Sequence, residues 1–199
     1  MEANTRRVLN VGGASKAIPI PAYYAGWRHD LLDIDAGVQP DVLCDAREMT
    51  RLAAGGYDAV YCSHNLEHYY RHEVPRVLAG FRHVLREDGF VDIRVPDIAA
   101  VMTQAVTRGL DIEDVLYHSA AGPITVRDVI YGWGAEIERS GSDYYAHKTG
   151  FTEQSLRQAL QGAFPHVYTA RNEPAYELVA LAFSNSPSTY CRRLFQLPD

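Results

Sequence analysis

A short apolar run, Val8-Leu9-Asn10-Val11, leads into Gly12 and Gly13 and then into small residues, all close to the start of the chain. This is the pattern of a buried parallel strand that ends in a tight turn. Glycine tolerates positive φ and lets backbone N–H groups approach a bound group with no Cβ in the way. In open α/β sheets ligands sit beyond the carboxyl ends of the strands, so this turn is a candidate floor for a nucleotide. Alone, a strand followed by two glycines is equally an ordinary turn.

Three later runs strengthen the reading. Leu31-Leu32-Asp33-Ile34-Asp35 is apolar and ends in acid, and a carboxylate at that point can accept hydrogen bonds from two ribose hydroxyls. Asp41-Val42-Leu43-Cys44 ends in Asp45-Ala46, and Tyr57-Asp58-Ala59-Val60-Tyr61-Cys62 ends in Ser63-His64-Asn65. Strand-like runs that each end in polar residues suit one ligand lying across the carboxyl edge of a sheet. Pro19 and Pro21 disfavour a long helix between the first two strands. An irregular crossover is expected there, with one turn of helix near Ala22–Ala25.

Val74, Val77, Leu78, Phe81, Val84 and Leu85 recur at helical spacing, with Pro75 in the first turn and Asp88-Gly89 as the expected stop. Val91, Ile93 and Val95 then alternate with Asp92 and Arg94, predicting a fifth strand with a partly polar second face. Asp97–Arg108 reads as a helix. Residues 110–150 are irregular and rich in polar aromatics, among them Tyr117, His118, Tyr131, Trp133, Tyr144, Tyr145 and His147. Insertions of this length in compact domains commonly form lids and substrate loops, so residues 97–150 are expected to form one. Thr152 is a candidate N-cap, with Phe151 and Leu156 as a hydrophobic staple on a helix running to about Gly162. The runs His166–Ala170 and Tyr176–Phe183 are close enough for an antiparallel hairpin. The expected fold class is α/β: a seven-stranded, mostly parallel sheet with an antiparallel closing strand and helices on both faces.

At 199 residues the chain suits one domain, and its composition (47% hydrophobic, 22% charged) is that of a globular protein. A net charge of −6 without a basic run argues against nucleic acid as a partner. Cys44, Cys62 and Cys191 are odd in number and lack metal-ligand spacing, which fits a reducing compartment. Met1–Arg7 is polar and no apolar run approaches a membrane span, so a cytoplasmic, soluble protein with no membrane partner is expected.

In order along the chain, these motifs resemble those of the class I S-adenosylmethionine-dependent methyltransferases, especially the methyltransferase-type-11-like group. Leu9-Asn10-Val11-Gly12-Gly13 is similar to the glycine motif and Leu32-Asp33-Ile34 to the ribose-acid motif. Asp45-Ala46 falls at the adenine-contacting acid, and Ser63-His64-Asn65-Leu66-Glu67-His68 is similar to the S-H-x-L-E-H after the fourth strand. Arg82–Phe90 and His147–Thr152 also resemble segments of that family. The resemblance implies a Rossmann-like domain that uses S-adenosyl-L-methionine to methylate a small or medium-sized acceptor, with the oligomeric state open. It places Asn10, Gly12, Gly13, Asp33, Ile34, Asp45, Ala46, Ser63 and His64 at the cofactor. It also makes His64 a candidate general base, since an unperturbed imidazole titrates near neutrality. Tyr69, Tyr145 and His147 are the substrate-side candidates. Asn10 stands where the family has an acid and Ala14 where it has a glycine, so a non-catalytic cofactor-binding or scaffolding protein is the alternative. His64-Asn65-Leu66-Glu67-His68 also reads literally as H-x-x-E-H, a zinc-hydrolase pattern that His72 extends. Its expected place after a strand rather than inside a long helix, with no third ligand evident, leads to an expectation of no metal.

Overall fold

The computed structural model describes residues 5–119 and 122–198. Two residues of the expected lid, 120 and 121, lie outside that range, as do residues 1–4 of the polar start. The chain runs β1 (Arg7–Val11), β2 (Arg28–Asp33), β3 (Val42–Leu43), β4 (Tyr57–Ser63), α1 (Val74–Val84), β5 (Leu85–Pro96) and α2 (Ile98–Arg108). It continues through β6 (Val115–Ser119), β7 (Gly122–Thr125), α3 (Val126–Tyr131), α4 (Gly134–Ser140), α5 (Glu153–Gln161), β8 (His166–Asn172), β9 (Glu177–Phe183) and α6 (Thr189–Phe195). Seven strands form one sheet in the order β3-β2-β1-β4-β5-β9-β8, and β6 and β7 form a separate hairpin. The strands from β3 to β5 are parallel, while β9 runs antiparallel to both β5 and β8. This is the expected sheet with its antiparallel closing strand.

Alternation along the strands decides what each face packs against. Leu9, Val11, Val60, Cys62, Val91, Ile93, Val95 and Ala180 share one buried face with Val77, Phe81 and Val84 of α1 and Leu156 and Leu160 of α5. Gly80 lets α1 close on the 3-10 turn Ala46–Arg51, since an added Cβ would lie 2.8 Å from the Met49 Cβ. Thr152 caps α5 in a capping box with Ser155. The helix α1 stops at Val84, earlier than the expected Asp88-Gly89. Tyr57 of β4 pairs with Leu85 but Ala59 with Phe90, so the intervening residues of β5 loop out. A Cβ at Gly89 would crowd Leu85 and the Asp58 carbonyl, so the glycine serves this bulge rather than a helix terminus.

The opposite face is covered differently. Between β1 and β2 the only regular piece among the described residues is the 3-10 turn Ala22–Tyr24, as the prolines predict. Tyr24 and Trp27 from this crossover pack with Tyr61, Phe90, Phe183 and, from α6, Phe195. Polar groups sit in the middle of this face. Asp92 is fully buried, and its Oδ2 accepts hydrogen bonds from the hydroxyls of Tyr23 and Tyr24. Burial pushes the Asp92 carboxyl above its usual range. Arg94 lies 3.8 Å from Asp92 and 3.6 Å from Glu177, and Glu177 meets His64 at 3.0 Å. This row of alternating charge runs from the crossover to the carboxyl edge of the sheet. Asp92→Ala leaves two buried hydroxyls and Arg94 without their carboxylate and should cost about 3–5 kcal/mol in urea denaturation. Tyr23→Phe removes one donor and should cost about 1–3 kcal/mol in the same measurement.

Candidate functional site

The turn after β1 begins by extending the ladder to β2, with the Gly12 N–H donating to the Leu32 carbonyl at 2.8 Å. Gly12 has φ +69°, and a Cβ there would fall 2.1 Å from Asn65 Nδ2. A Cβ at Gly13 would fall 2.2 Å from Asn10 Nδ2. Neighbouring side chains therefore use the space that only glycine leaves. Ala14 follows at φ +55°, a left-handed position that glycine would adopt without the strain a Cβ brings. The Ala14 N–H donates to Asp33 Oδ2 at 3.3 Å, and the Asp35 N–H donates to Asp33 Oδ1 at 3.0 Å. Each Asp33 oxygen keeps acceptor capacity toward a ligand. Asp35 itself caps the 3-10 turn Ala36–Val38.

A cavity of about 160 Å³ lies against this turn, lined by Gly12, Ala14, Asp33, Ile34, Val38 and Arg47. His64, Asn65, His68, Tyr69, Tyr144 and Tyr145 line it as well. A second cavity, of about 230 Å³, shares the His64 wall and is lined mainly by Tyr117, Ile124, Val129, Trp133, His147 and Tyr176. Of the residues expected from sequence at the cofactor, Gly12, Asp33, Ile34 and His64 line the first cavity. Asn10, Gly13, Asp45, Ala46 and Ser63 do not line it. Asn10 is buried beneath the turn and Ala46 lies in the core. Asp45 caps the turn Ala46–Arg51, and Arg47 grips it with Nη2 2.6 Å from Oδ2. Burial alone would raise the Asp45 carboxyl, but Arg47 outweighs it and holds the group below its usual range.

Of the expected substrate-side residues, Tyr69 and Tyr145 line the first cavity and His147 the second. Arg47, Asn65, Val38 and Tyr144 were not singled out from sequence as ligand contacts. Nor were Ile124, Val129 and Tyr176. Tyr117 and Trp133 stood in the aromatic stretch that drew attention, but nothing in their spacing separated them from lid packing.

His64 follows β4 with φ +49°, a strained conformation for histidine that aims its half-exposed ring between the two cavities. Burial of the site would lower its pKa, but the bond to Glu177, with Glu67 3.6 Å away, lifts it to about 10. The pairing with Glu177 thus favours the protonated ring. His147 has the opposite character: burial lowers its pKa, and its Nδ1 lies 2.9 Å from the Val129 carbonyl. No helix among the described residues is long and apolar enough to cross a membrane. The turn geometry predicts that Ala14→Gly gains about 1 kcal/mol in thermal denaturation by relieving the left-handed alanine. Gly12→Ala, which must displace Asn65, should lose about 1–3 kcal/mol.

No model of a known protein family matches the sequence, and no curated protein does. Solved structures do match in shape. A SAM-dependent methyltransferase from Archaeoglobus fulgidus superposes with a TM-score of 0.55 at 14% identity, over 90% of this chain and 86% of that one. The Burkholderia thailandensis 1,6-didemethyltoxoflavin-N1-methyltransferase, solved with bound 1,6-didemethyltoxoflavin and S-adenosylhomocysteine, matches with a TM-score of 0.50 at 20% identity, covering 89% and 70%. An O-methyltransferase family protein from the same organism gives 0.52 at 10% identity, with 93% of this chain spanning 52% of that one. With its strand order, closing hairpin and glycine turn, this chain has the fold of the class I S-adenosylmethionine-dependent methyltransferases.

Proposed function

We propose that the protein is a methyltransferase that moves the methyl group of S-adenosyl-L-methionine to a small or medium-sized acceptor. The observation that carries this reading is the pair of cavities with His64 as their common wall. One lies against the glycine turn and a positioned carboxylate, the other among aromatic side chains. The cofactor's residues fit the first: Asp33 presents acceptors to the ribose hydroxyls, Ile34 and Val38 offer an apolar surface to the adenine, and Gly12 lets the chain approach closely. Bound there, S-adenosylmethionine supplies an electrophilic methyl on a sulfonium.

The acceptor binds in the second cavity, where Tyr117, Trp133, Tyr176, Ile124 and Val129 favour a flat, largely apolar molecule. Methyl transfer is an in-line displacement, and holding the two reactants on either side of one wall supplies much of the rate. His64 takes part, on this reading, as a charged wall fixed by Glu177, and a role as general base would require that proton to leave first. On this reading the chain is a single catalytic domain, and residues 97–150 form a lid that contributes Tyr117, Trp133 and His147 to one cavity and Tyr144 and Tyr145 to the other. Free cysteines at 44, 62 and 191 agree with a cytoplasmic setting.

A cavity of about 160 Å³ is tight for a nucleoside sulfonium, so Tyr144 and Tyr145 must shift when the cofactor binds. Calorimetric titration with S-adenosylmethionine and S-adenosylhomocysteine should give micromolar binding that Asp33→Ala weakens by about 100-fold, the loss of two charged hydrogen bonds. Hydrogen exchange in residues 142–147 should slow on binding. No heat with either ligand would refute the cofactor assignment and favour a scaffolding role. Binding without turnover across a panel of aromatic hydroxyl and amine acceptors would indicate a cofactor-binding protein that is not an enzyme.

A further inference from the structure

Glu67 breaks the rule that buried polar groups find partners. Its side chain is 1% exposed, and neither carboxylate oxygen accepts a hydrogen bond. An ionised carboxylate in that position needs a cation or donors to offset its lost hydration. His64 supplies positive charge nearby but no hydrogen bond: its Nε2 is committed to Glu177 at 3.0 Å, and its Nδ1 stays 3.6 Å from Glu67.

Two other imidazoles converge on this carboxylate. The Glu67 carbonyl accepts from the Lys148 and Thr149 N–H groups at 2.8 and 3.1 Å, which lays the end of the lid along the turn Leu66–His68. This places His147 Nε2 3.9 Å from Glu67 Oε1. His147 Nδ1 donates to the Val129 carbonyl, so Nε2 presents a lone pair to an oxygen that also has only lone pairs to offer. The two acceptors face one another with no proton between them. His68 packs edge-on against His147, with ring centroids 4.9 Å apart. One ligand atom from each of Glu67, His68 and His147 lies within 4.8 Å of the others.

We propose that Glu67, His68 and His147 bind a divalent transition-metal ion of the zinc class. Two imidazoles and one carboxylate suit zinc, cobalt or nickel and not magnesium or calcium, which prefer all-oxygen sets. Tetrahedral ligands at about 2.1 Å from the metal sit about 3.4 Å apart, so a contraction of roughly half an ångström brings His147 and Glu67 into range. The Val129 carbonyl orients His147 as an outer partner orients a metal-bound histidine. His68 now lies between two carbonyls, of Ala146 at 3.0 Å and His64 at 3.1 Å, and gives up one of them to turn a nitrogen to the ion. Three protein ligands leave an open position, for water or a heteroatom of the acceptor. This assigns the literal H-x-x-E-H pattern differently from its usual form. Glu67 and His68 serve as ligands, His64 and the exposed His72 do not, and the third ligand comes from the lid.

The test uses the full chain without an affinity tag, stripped with a chelator and titrated with Zn²⁺ and Co²⁺. Stoichiometric zinc, and a cobalt adduct with visible bands of four- or five-coordinate intensity, are expected. X-ray absorption at the zinc edge on the wild type should show a nitrogen and oxygen shell with imidazole scattering, a readout that needs no variant. Glu67→Gln and His147→Gln should weaken zinc by about 100-fold, with His72→Gln unchanged as the control. Binding only at millimolar zinc, or affinity indifferent to Glu67→Gln and His147→Gln, would overturn the site and leave an ordered water between the two side chains. The measurement involves neither S-adenosylmethionine nor turnover, so its outcome is independent of the methyltransferase reading.

Discussion

The interior charge of Asp92 governs one whole face of this molecule. A carboxylate at the centre of a sheet is tolerated only with donors and positive charge around it, and here they come from a crossover distant in sequence and from its own strand. Tyr23 and Tyr24 reach it from the first crossover, Arg94 from two residues further along the same strand. Arg94 then passes the requirement to Glu177 on the antiparallel strand, and Glu177 passes it to His64. The proton on His64 is thus set by the pairing of charges beneath the site as much as by the site itself. The network also explains why a crossover without a helix suffices after β1: two phenols do what a helix face could not, covering the sheet and satisfying its buried acid.

The strands were legible because burial writes itself into alternation. Leu9 and Val11, Val91 and Ile93, and Leu178 and Ala180 each repeat at the period of a strand with a core-facing side, and the structure pairs them accordingly. The prolines at 19 and 21 correctly excluded a helix, and Thr152 announced its own. The end of α1 was misjudged because Asp-Gly suits a helix stop and a strand bulge equally. Only the pairing of β4 with β5, which involves residues about thirty positions apart, decides between them.

The site was legible in part, for a related reason. Gly12 and Asp33 lie next to strand ends and carry local signatures, so a linear reading finds them. Asp45 carried a similar signature, yet the structure uses it to cap a 3-10 turn and to hold Arg47. Arg47 reaches the cavity because Asp45 and Glu73 hold its guanidinium from opposite sides, a relation with no sequence pattern. The aromatic stretch 110–150 declared its importance by composition, but which rings face a ligand depends on how the β6–β7 hairpin, α3 and α4 fold over the sheet edge. Glu177 escaped notice entirely, being one polar residue at the start of an apolar strand.

The aromatic cover of the second face has a bearing on how the chain acquires its form during synthesis. Tyr23 stacks edge-on against Phe195 at 5.2 Å, and Arg6 lies over Tyr190, so Arg6 and the first crossover are held against α6. A nascent chain emerging from the ribosome can assemble α1 on its sheet face, but the crossover carrying Tyr23 and Tyr24 has no lid until residues 189–195 arrive. Closure of this face therefore waits on α6, and a chain stalled or clipped before that helix exposes Tyr23 and Phe90 to chaperones and proteases.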